Sequence, residues 1–387
     1  MTAGPTAGAR PRNRKQLIVE AAGQVFSERG YHAASMEEIA AGVGISAAAL
    51  YRHFPNKYAL FAEAAHVMVD RLVAELDESP PDATLRDVLA AITRVTVRHR
   101  ASGGLYRWEA RYLGREDRLL LRSKFAHVVG RVTELVRRDY PLTDERLRAT
   151  AALGAIGSIT MHHTSIAQRR IEDMLLNAAL SVAATDPAAA APSVHSIELP
   201  AQPVPRTRRA EILAAAIPLF ARDGFANVTN AQIAQAVGLA PSALYRHYAG
   251  KVDILVAACL QAAGLLAQAV ERSLQQANDP RQAVVALAAA YVAYSFEHNT
   301  LNSVAEAEVA GLPADLQRPL ILAQREHIAI WEEQLRTARP ELDSRQARLL
   351  IHAGFGVVVE AGRALRWQDA PEHRDAVTSL VTSALML

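Results

Sequence analysis

Residues 18–60 read IVEAAGQVFSERGYHAASMEEIAAGVGISAAALYRHFPNKYAL, and this stretch decides the fold. Its first part places apolar residues on one stripe of an α-helix, and Gly30 ends that helix. Ser35 then begins a second, short helix, and Glu38 three residues later completes a capping box with it. The following Gly-Val-Gly, residues 42–44, leaves room only for a tight turn before a third helix. The segment therefore predicts three helices, the last two joined by a glycine-containing turn.

Two short helices joined in this way are typical of a helix-turn-helix, whose second helix enters the major groove of DNA. Ser46 caps that second helix, and the backbone amides at its start can bind phosphate. Small residues follow, which permit close approach, and then side chains that can donate hydrogen bonds. The alternatives are a packed scaffold for the tyrosines and histidines and a solvated face for the arginines. We predict DNA contacts from Arg14, Ser35, Ser46, Ala47, Ala48, Tyr51, Arg52, His53 and Lys57.

The pattern occurs a second time, 194 residues further along the chain. Between residues 14 and 60 this offset matches 16 of 47 positions without a gap, including LYRHF at 50–54 and LYRHY at 244–248. Weaker matches continue in order at residues 108–114 against 305–311 and 140–150 against 339–349, which indicates duplication of a complete two-part unit. Thr229 and Gln232 form the second capping box. The second set of predicted DNA contacts is Arg208, Thr229, Pro241, Ser242, Tyr245, Arg246, His247 and Lys251.

The chain outside these motifs is predicted to be helical, because apolar residues recur at helical spacing between short breaks. The fold class is therefore all-α. One segment differs: residues 185–205 hold five prolines and no helical period, which indicates a linker. The predicted domains are a first DNA-binding domain (10–62), a first helical regulatory domain (63–184), the linker (185–205), a second DNA-binding domain (206–256) and a second helical regulatory domain (257–387).

Composition restricts the class of protein further. The net charge of +2 is small, but residues 1–60 and 206–254 each carry a net +3, which is the clustering that DNA binding requires. Cys259 is the only cysteine, so we expect no intrachain disulfide and no thiolate-rich metal site. We find no secretory leader, no uncharged and wholly apolar window of about 18 residues, and no constellation of catalytic groups. These features favour a cytoplasmic, nucleoid-associated protein that is not an enzyme.

Both repeated stretches resemble the DNA-binding domain of TetR-type repressors. The resemblance implies a helical body that dimerises through its last two helices and holds a pocket for a small-molecule effector. Occupation of that pocket moves the headpieces apart and releases the operator DNA. Because the unit is duplicated, the chain is expected to form an intrachain pseudo-dimer, with further homodimerisation left open. It also looks like the tandem regulators of actinobacteria linked to lipid or steroid genes, which implies a lipid- or steroid-derived effector and no cofactor.

The two recognition helices differ, since Ala47-Ala48 corresponds to Pro241-Ser242. We therefore predict a pseudo-palindromic operator with unlike half-sites. Pro218 inside the first helix of the second headpiece removes a helical hydrogen bond, so that headpiece is expected to be less stable or differently angled. The alternative function is an effector-binding or assembly protein in which only the first headpiece binds DNA and whole chains dimerise. Repression is favoured over activation by the resemblance alone.

The regulatory bodies offer weaker signals. Glu306 and Glu308 lie near the place in the second body that matches the first body's candidate effector contacts, and packing or surface charge is the alternative. Residues 153–161 and 349–359 are apolar all round, and their glycines would permit a close helix contact. His162 and His163 point about 100° apart on a helix, which argues against a shared metal ion. The candidate effector contacts in the first body are Trp108, Arg111 and Tyr112.

Overall fold

The computed structural model describes residues 14–105, 112–188, 199, 204–275 and 277–387. Every regular element in those residues is a helix, so the all-α prediction is confirmed. The first half begins with the three-helix headpiece and continues with a helical body. Its helices are α1 (Arg14–Ala33), α2 (Met36–Gly42), α3 (Ala47–Tyr51), α4 (Lys57–Asp77), α5 (Leu85–Arg98), α6 (Arg115–Asp139), α7 (Glu145–Gly157) and α8 (Gln168–Ala184).

The second half repeats this order and has one additional described helix, α14. A short 3-10 turn, Val309–Gly311, follows that helix directly. The helices are α9 (Arg208–Asp223), α10 (Asn230–Ala236), α11 (Pro241–Leu244), α12 (Lys251–Leu274), α13 (Pro280–Glu297), α14 (Asn299–Glu308), α15 (Ala314–Ala338), α16 (Ser344–Ala364) and α17 (Pro371–Ala384).

Glycines with positive φ shape both headpieces at the predicted places. Gly30 interrupts α1 with φ 78°, and Gly224 ends α9 with φ 77°. Gly44 and Gly238, in the turns before the recognition helices, have φ values of 69° and 67°. A side chain with a Cβ rarely adopts this backbone conformation. The short helix-turn-helix connection therefore depends on glycine in both copies.

Only one of the two predicted capping boxes is complete in the structure. Thr229 and Gln232 form a complete box, with each side chain accepting the other residue's backbone N–H. Ser35 accepts the N–H of Glu38 at 3.0 Å, but the Glu38 carboxylate pairs with the Arg29 guanidinium at 3.1 Å. The first box is thus formed only on its serine side, because the carboxylate has a charged partner within reach.

Helix α9 runs through Pro218 without interruption, from the Thr207 cap to Gly224. Pro218 and Ala214, whose carbonyl loses a helical partner, both lie on the exposed face of α9. Water can satisfy that carbonyl, which reduces the cost of the proline.

The two bodies share one apolar core, to which both halves contribute. Helices α7 and α8 pack against α16 and α17, so the last two helices of one half face the last two of the other. At the centre, Gly154 and Gly356 bring the backbones of α7 and α16 together, and a Cβ on Gly154 would lie 2.5 Å from the Gly356 carbonyl oxygen. The close helix contact predicted from these glycines is thus present.

Further contacts join the halves around this crossing. The rings of His162 and His352 stack with centroids 4.0 Å apart, and burial lowers their pKa values to about 3 and about 4. The Thr185 hydroxyl donates to the Ser383 hydroxyl at 2.7 Å. His162 therefore packs against a histidine of the other half. Within the described ranges no group of three or more His, Cys, Asp or Glu residues could hold a metal ion.

Helix α12 is unusually long and apolar. By length and composition this helix could cross a membrane, a candidate that the sequence analysis did not identify. In the structure Ile254, Leu255 and Cys259 pack into the core of the second headpiece, while Ala258 and Leu265 pack into the second body. A long helix that serves two cores passes the same test as a membrane span, and 39% of the apolar window of α12 is buried in this way.

Candidate nucleic-acid interface

The recognition helices α3 and α11 are short and held by one buried leucine each. Leu50 and Leu244 are fully buried in their headpiece cores, and the next residue in each helix points outward. Tyr51 is 48% exposed and Tyr245 is 57% exposed. An exposed tyrosine this large, one residue after the anchoring leucine, is positioned to meet a partner rather than to pack. The same arrangement occurs in both halves.

The polar residues predicted around these tyrosines lie on accessible surface. In the first headpiece Ser35 and Ala47 are half-buried. In the second headpiece only His247 is half-buried, apart from the lysine described below. The exposed members of the predicted set are Ser46, Ala48, Arg52, His53, Arg208, Thr229, Pro241, Ser242 and Arg246.

The two surfaces are alike in shape but differ in hydrogen bonding. Asn230 donates to the Tyr245 hydroxyl at 3.0 Å, which fixes the orientation of that ring. The matching position in the first headpiece holds Met36, which is buried. Ser46 caps α3 by accepting the N–H of Ala49, whereas α11 starts at Pro241 without a side-chain cap. Sequence reasoning missed Asn230, although a polar residue opposite a methionine in the repeat was a detectable signal.

The lysines predicted to contact phosphate are engaged inside their headpieces. Lys57 donates to the carbonyls of His32 (3.1 Å) and Ala34 (2.8 Å). Lys251 donates to the carbonyls of Phe225 (2.8 Å), Ala226 (3.1 Å) and Val228 (2.9 Å), and its ammonium lies 4.5 Å from the centroid of the Phe225 ring. Three acceptors use all three protons of Lys251. The predicted phosphate contact is thus replaced by a structural one, because carbonyls after the first helix lack other donors.

We expect Lys251→Met to destabilise the second headpiece by about 1–3 kcal/mol, since two part-buried carbonyls and one exposed carbonyl would lose their donor. Thermal unfolding of the full chain measures this loss. Salt titration of DNA binding separates the two roles, because loss of a phosphate contact would reduce the slope of log K against log salt by about one. We expect the slope to stay unchanged. Lys15→Met, which removes an exposed ion pair with Glu63, is the matched control and should cost less than about 1 kcal/mol.

The basic residues before each headpiece are partly paired. The Arg208 guanidinium bonds Glu211 at 2.6 Å, and the Arg209 guanidinium lies over the Tyr248 ring and donates to the His247 carbonyl. Arg14 is half-buried and Arg206 is exposed. Arg206 is therefore the basic side chain most accessible to an adjacent phosphate in the described segment just before α9.

The residues predicted to bind an effector in the first body take different positions. Trp108 and Arg111 lie outside the described residues. Tyr112 stacks with Tyr31 at 5.8 Å and lies 3.8 Å from the point where a Cβ on Gly224 would project. Tyr112 thus lies where the first headpiece meets the second, and not against a described cavity of the first body.

The second half makes the reciprocal contact through α14 and the turn after it. Glu308, at the end of α14, accepts the backbone N–H of Phe225 at 3.2 Å. The turn Val309–Gly311 packs against α1 of the first headpiece. One short segment therefore touches both headpieces, a link that sequence reasoning missed because no local pattern indicates it.

Comparison with known proteins finds similarity in both headpieces and, for one relative, over a stretch longer than a headpiece. The family model described as bacterial regulatory proteins, tetR family, matches residues 18–64 and again residues 212–258. The activator FasR of Mycolicibacterium smegmatis is 46% identical over 65 residues, which cover 17% of this chain and 29% of FasR. The regulator BetI of Brucella canis is 29% identical over 176 residues, or 44% of this chain and 86% of BetI.

The match to a solved structure covers just under half of the chain. A TetR-family regulator from Bordetella parapertussis is 21% identical, with a TM-score of 0.43, and the match covers 47% of this chain and 95% of that one. The chain spans less than a third of the length of FasR, so what FasR does as a whole protein is not carried over by this match.

Proposed function

Because the chain belongs to the TetR family of bacterial regulatory proteins and carries the family's helix-turn-helix domain twice, we propose that it is an effector-released repressor acting as an intrachain pseudo-dimer. Its two headpieces read the two halves of one pseudo-palindromic operator. The observation that carries this proposal is the repeated surface around Tyr51 and Tyr245, each exposed directly after a buried leucine. Both copies keep the polar side chains that DNA contact requires.

The pseudo-dimer is supported by the contact between the halves. The final helix pairs of the two bodies pack on each other within one chain, around Gly154 and Gly356. A two-fold pair of headpieces requires such an interface to set the separation of the recognition helices, about 34–36 Å for successive major grooves. A second chain is not needed to complete the pair.

Unlike half-sites are supported by the differences between the recognition surfaces. Tyr245 is held by Asn230, whereas the matching position in the first headpiece is Met36. Pro241-Ser242 replaces Ala47-Ala48 at the helix start, where side chains approach the bases. Different side chains at the same place in the groove favour different bases.

Release by an effector is supported by the segment that joins the second body to the headpieces. Glu308 bonds headpiece two, and the turn Val309–Gly311 packs on headpiece one. A ligand that binds better to a conformation with α14 displaced will lower DNA affinity by its differential affinity for the two states. We expect a cytoplasmic, nucleoid-associated regulator, and the release mechanism needs no cofactor.

The decisive experiment is the stoichiometry of the full chain on a selected operator, measured by sedimentation or native mass spectrometry. We expect one chain per operator. Tyr51→Ala and Tyr245→Ala should each weaken binding by roughly 1–3 kcal/mol, about 5- to 160-fold, because each removes contacts in one half-site. Leu260→Ala, which changes another exposed apolar side chain away from the headpiece surface, is the control and should leave affinity unchanged.

Two chains per operator, or indifference to Tyr245→Ala alone, would instead support the alternative in which the second headpiece does not bind DNA. Equal effects of both tyrosine variants on both halves of a strictly palindromic site would contradict unlike half-sites. In vitro transcription from the operator would distinguish repression from activation.

A further inference from the structure

Two short segments of the bodies lie between the headpieces. The first connecting segment, residues 112–114, directly precedes α6. The second connecting segment, residues 308–312, holds the end of α14, the turn after it and Leu312. They overlap the weakly matching stretches of the repeat, 108–114 and 305–311, so both halves use corresponding parts of the chain at this place. Each segment is fixed to its own headpiece and also reaches the other one.

The first connecting segment is fixed to the first headpiece by packing and by a hydrogen bond. The Tyr112 ring stacks on the Tyr31 ring, with centroids 5.8 Å apart. Leu113 is buried in the core of that headpiece. The Gly114 N–H donates to the Tyr58 hydroxyl at 2.7 Å, at the start of α4. These three residues therefore move with the first headpiece.

The second connecting segment is fixed to the second headpiece in a similar way. Glu308 accepts the Phe225 N–H at 3.2 Å, and Leu312 is buried in the core of that headpiece. Helix α14, which leads into the segment, packs against α9, the first helix of the headpiece. This segment therefore moves with the second headpiece.

Each connecting segment also touches the opposite headpiece. The Tyr112 ring lies against the end of α9, where a Cβ on Gly224 would be 3.8 Å from the ring carbon Cε1 and 4.0 Å from the hydroxyl oxygen. In the other direction, the turn Val309–Gly311 packs on α1. We refer to these two contacts as the headpiece junction. Because the contacts run in opposite directions, they resist rotation of one headpiece over the other, whereas a single contact would leave a hinge.

The ring contact is found on one side of the junction. Gly30 is the first headpiece's counterpart of Gly224, and both have positive φ. A Cβ on Gly30 would meet no described atom within 4 Å, however, and residues 308–312 contain no aromatic side chain. Since glycine has no side chain of its own, the Tyr112 ring can approach the backbone at Gly224 closely. Tyr112 thus supplies the aromatic part of the junction.

We propose that the headpiece junction fixes the separation of α3 and α11 in the DNA-binding conformation, with Tyr112 as a positioning residue, so that the chain accepts one spacing of operator half-sites. This inference rests on the proposed function. One base pair added between the half-sites moves them apart by about 3.4 Å and turns them by about 35°. Headpieces that are joined rigidly cannot follow both changes, so contacts in one half-site are lost.

Operators whose half-sites are moved together or apart by one base pair test this proposal on the full chain. The affinity of the unmodified chain should fall at least about tenfold for either change, because base contacts are lost. Tyr112→Ala should reduce this discrimination to less than about threefold, since the gap left beside Gly224 lets the headpieces adjust to each spacing. Tyr112→Phe keeps the ring and should keep the discrimination. Tyr140→Ala removes another half-buried tyrosine, packed on the core of the bodies, and is the control that should also keep it.

Photo-crosslinking tests the junction without DNA. The amino acid p-benzoylphenylalanine, placed at position 112, bonds covalently on illumination to a C–H group that it touches. Tryptic digestion of the illuminated full chain, kept dilute, should yield a peptide that joins position 112 to residues 223–246, which include Gly224. The same amino acid at position 140 should give no such peptide.

Equal affinity of the unmodified chain for all three spacings would overturn the proposal, and so would undiminished discrimination in Tyr112→Ala, because the separation would then be set elsewhere. Absence of the cross-linked peptide would contradict it as well, whether or not Tyr112→Ala folds. A cross-link in a chain that binds no operator would confirm the junction, while the proposed repressor function fails.

Discussion

Gly154→Ala is expected to lower the free energy of unfolding of the full chain by about 2–3 kcal/mol, although it adds only one methyl group. The new Cβ would lie 2.5 Å from the Gly356 carbonyl oxygen and 3.0 Å from the Glu360 Cβ. The nearest obstacle is helix backbone, which cannot rotate away as a side chain can, so α7 and α16 must separate. Chemical denaturation measures the loss of stability.

The control for this variant is Gly264→Ala, on the exposed face of α12. A Cβ there would meet nothing within 4 Å, so alanine should stabilise the helix by up to about 1 kcal/mol. Opposite signs for the same substitution at two helical glycines would show that the crossing, and not helix propensity, decides the effect. Operator affinity should fall with Gly154→Ala and stay constant with Gly264→Ala. A stabilising effect at both positions would contradict the close contact.

Arg148→Met is expected to be at least as damaging, with a loss of about 3–5 kcal/mol. Arg148 is fully buried in the first turn of α7, and its guanidinium donates to four backbone carbonyls, three in the connection between α6 and α7 and one at the end of α8. These carbonyls belong to Thr143 (3.0 Å), Ala183 (2.7 Å), Tyr140 (3.0 Å) and Leu142 (2.9 Å). Methionine fills the space but leaves all four acceptors, one buried and three part-buried, without this donor.

Arg146→Met provides the comparison, since Arg146 lies on the same helix and is exposed. We expect it to change stability by less than about 0.5 kcal/mol, as surface substitutions usually do. Thermal unfolding of both variants under the same conditions gives the difference. If Arg148→Met unfolded like Arg146→Met, the four carbonyls would have to find other donors, and the bonding described for α7 would be wrong.

The headpieces could be predicted from sequence because their determinants are local. Gly30 and Gly44 lie within or directly beside the helices that they interrupt or connect. The repeat supports each of these predictions with an equivalent glycine in the second half. The helices of the bodies could be predicted in the same way, because their apolar residues recur at helical spacing. A pattern that depends only on neighbouring residues predicts the same local structure in both halves.

Roles that depend on distant neighbours could not be predicted in this way. Lys57 and Lys251 carry the charge of phosphate ligands, but their carbonyl partners lie 23 to 26 residues earlier in the chain. His162 had no visible partner in sequence, because the ring that it stacks on, His352, belongs to the other half.

The crossing of α7 and α16 within one polypeptide changes how the proposed regulator responds to dilution. Two separate subunits fall apart when few copies are present, so their operator occupancy depends on roughly the square of protein concentration. Tethered partners meet at an effective concentration that can reach the millimolar range, whatever the number of molecules in the cell. Each newly made chain is then a complete DNA-binding unit, and occupancy responds linearly to copy number from the first molecule.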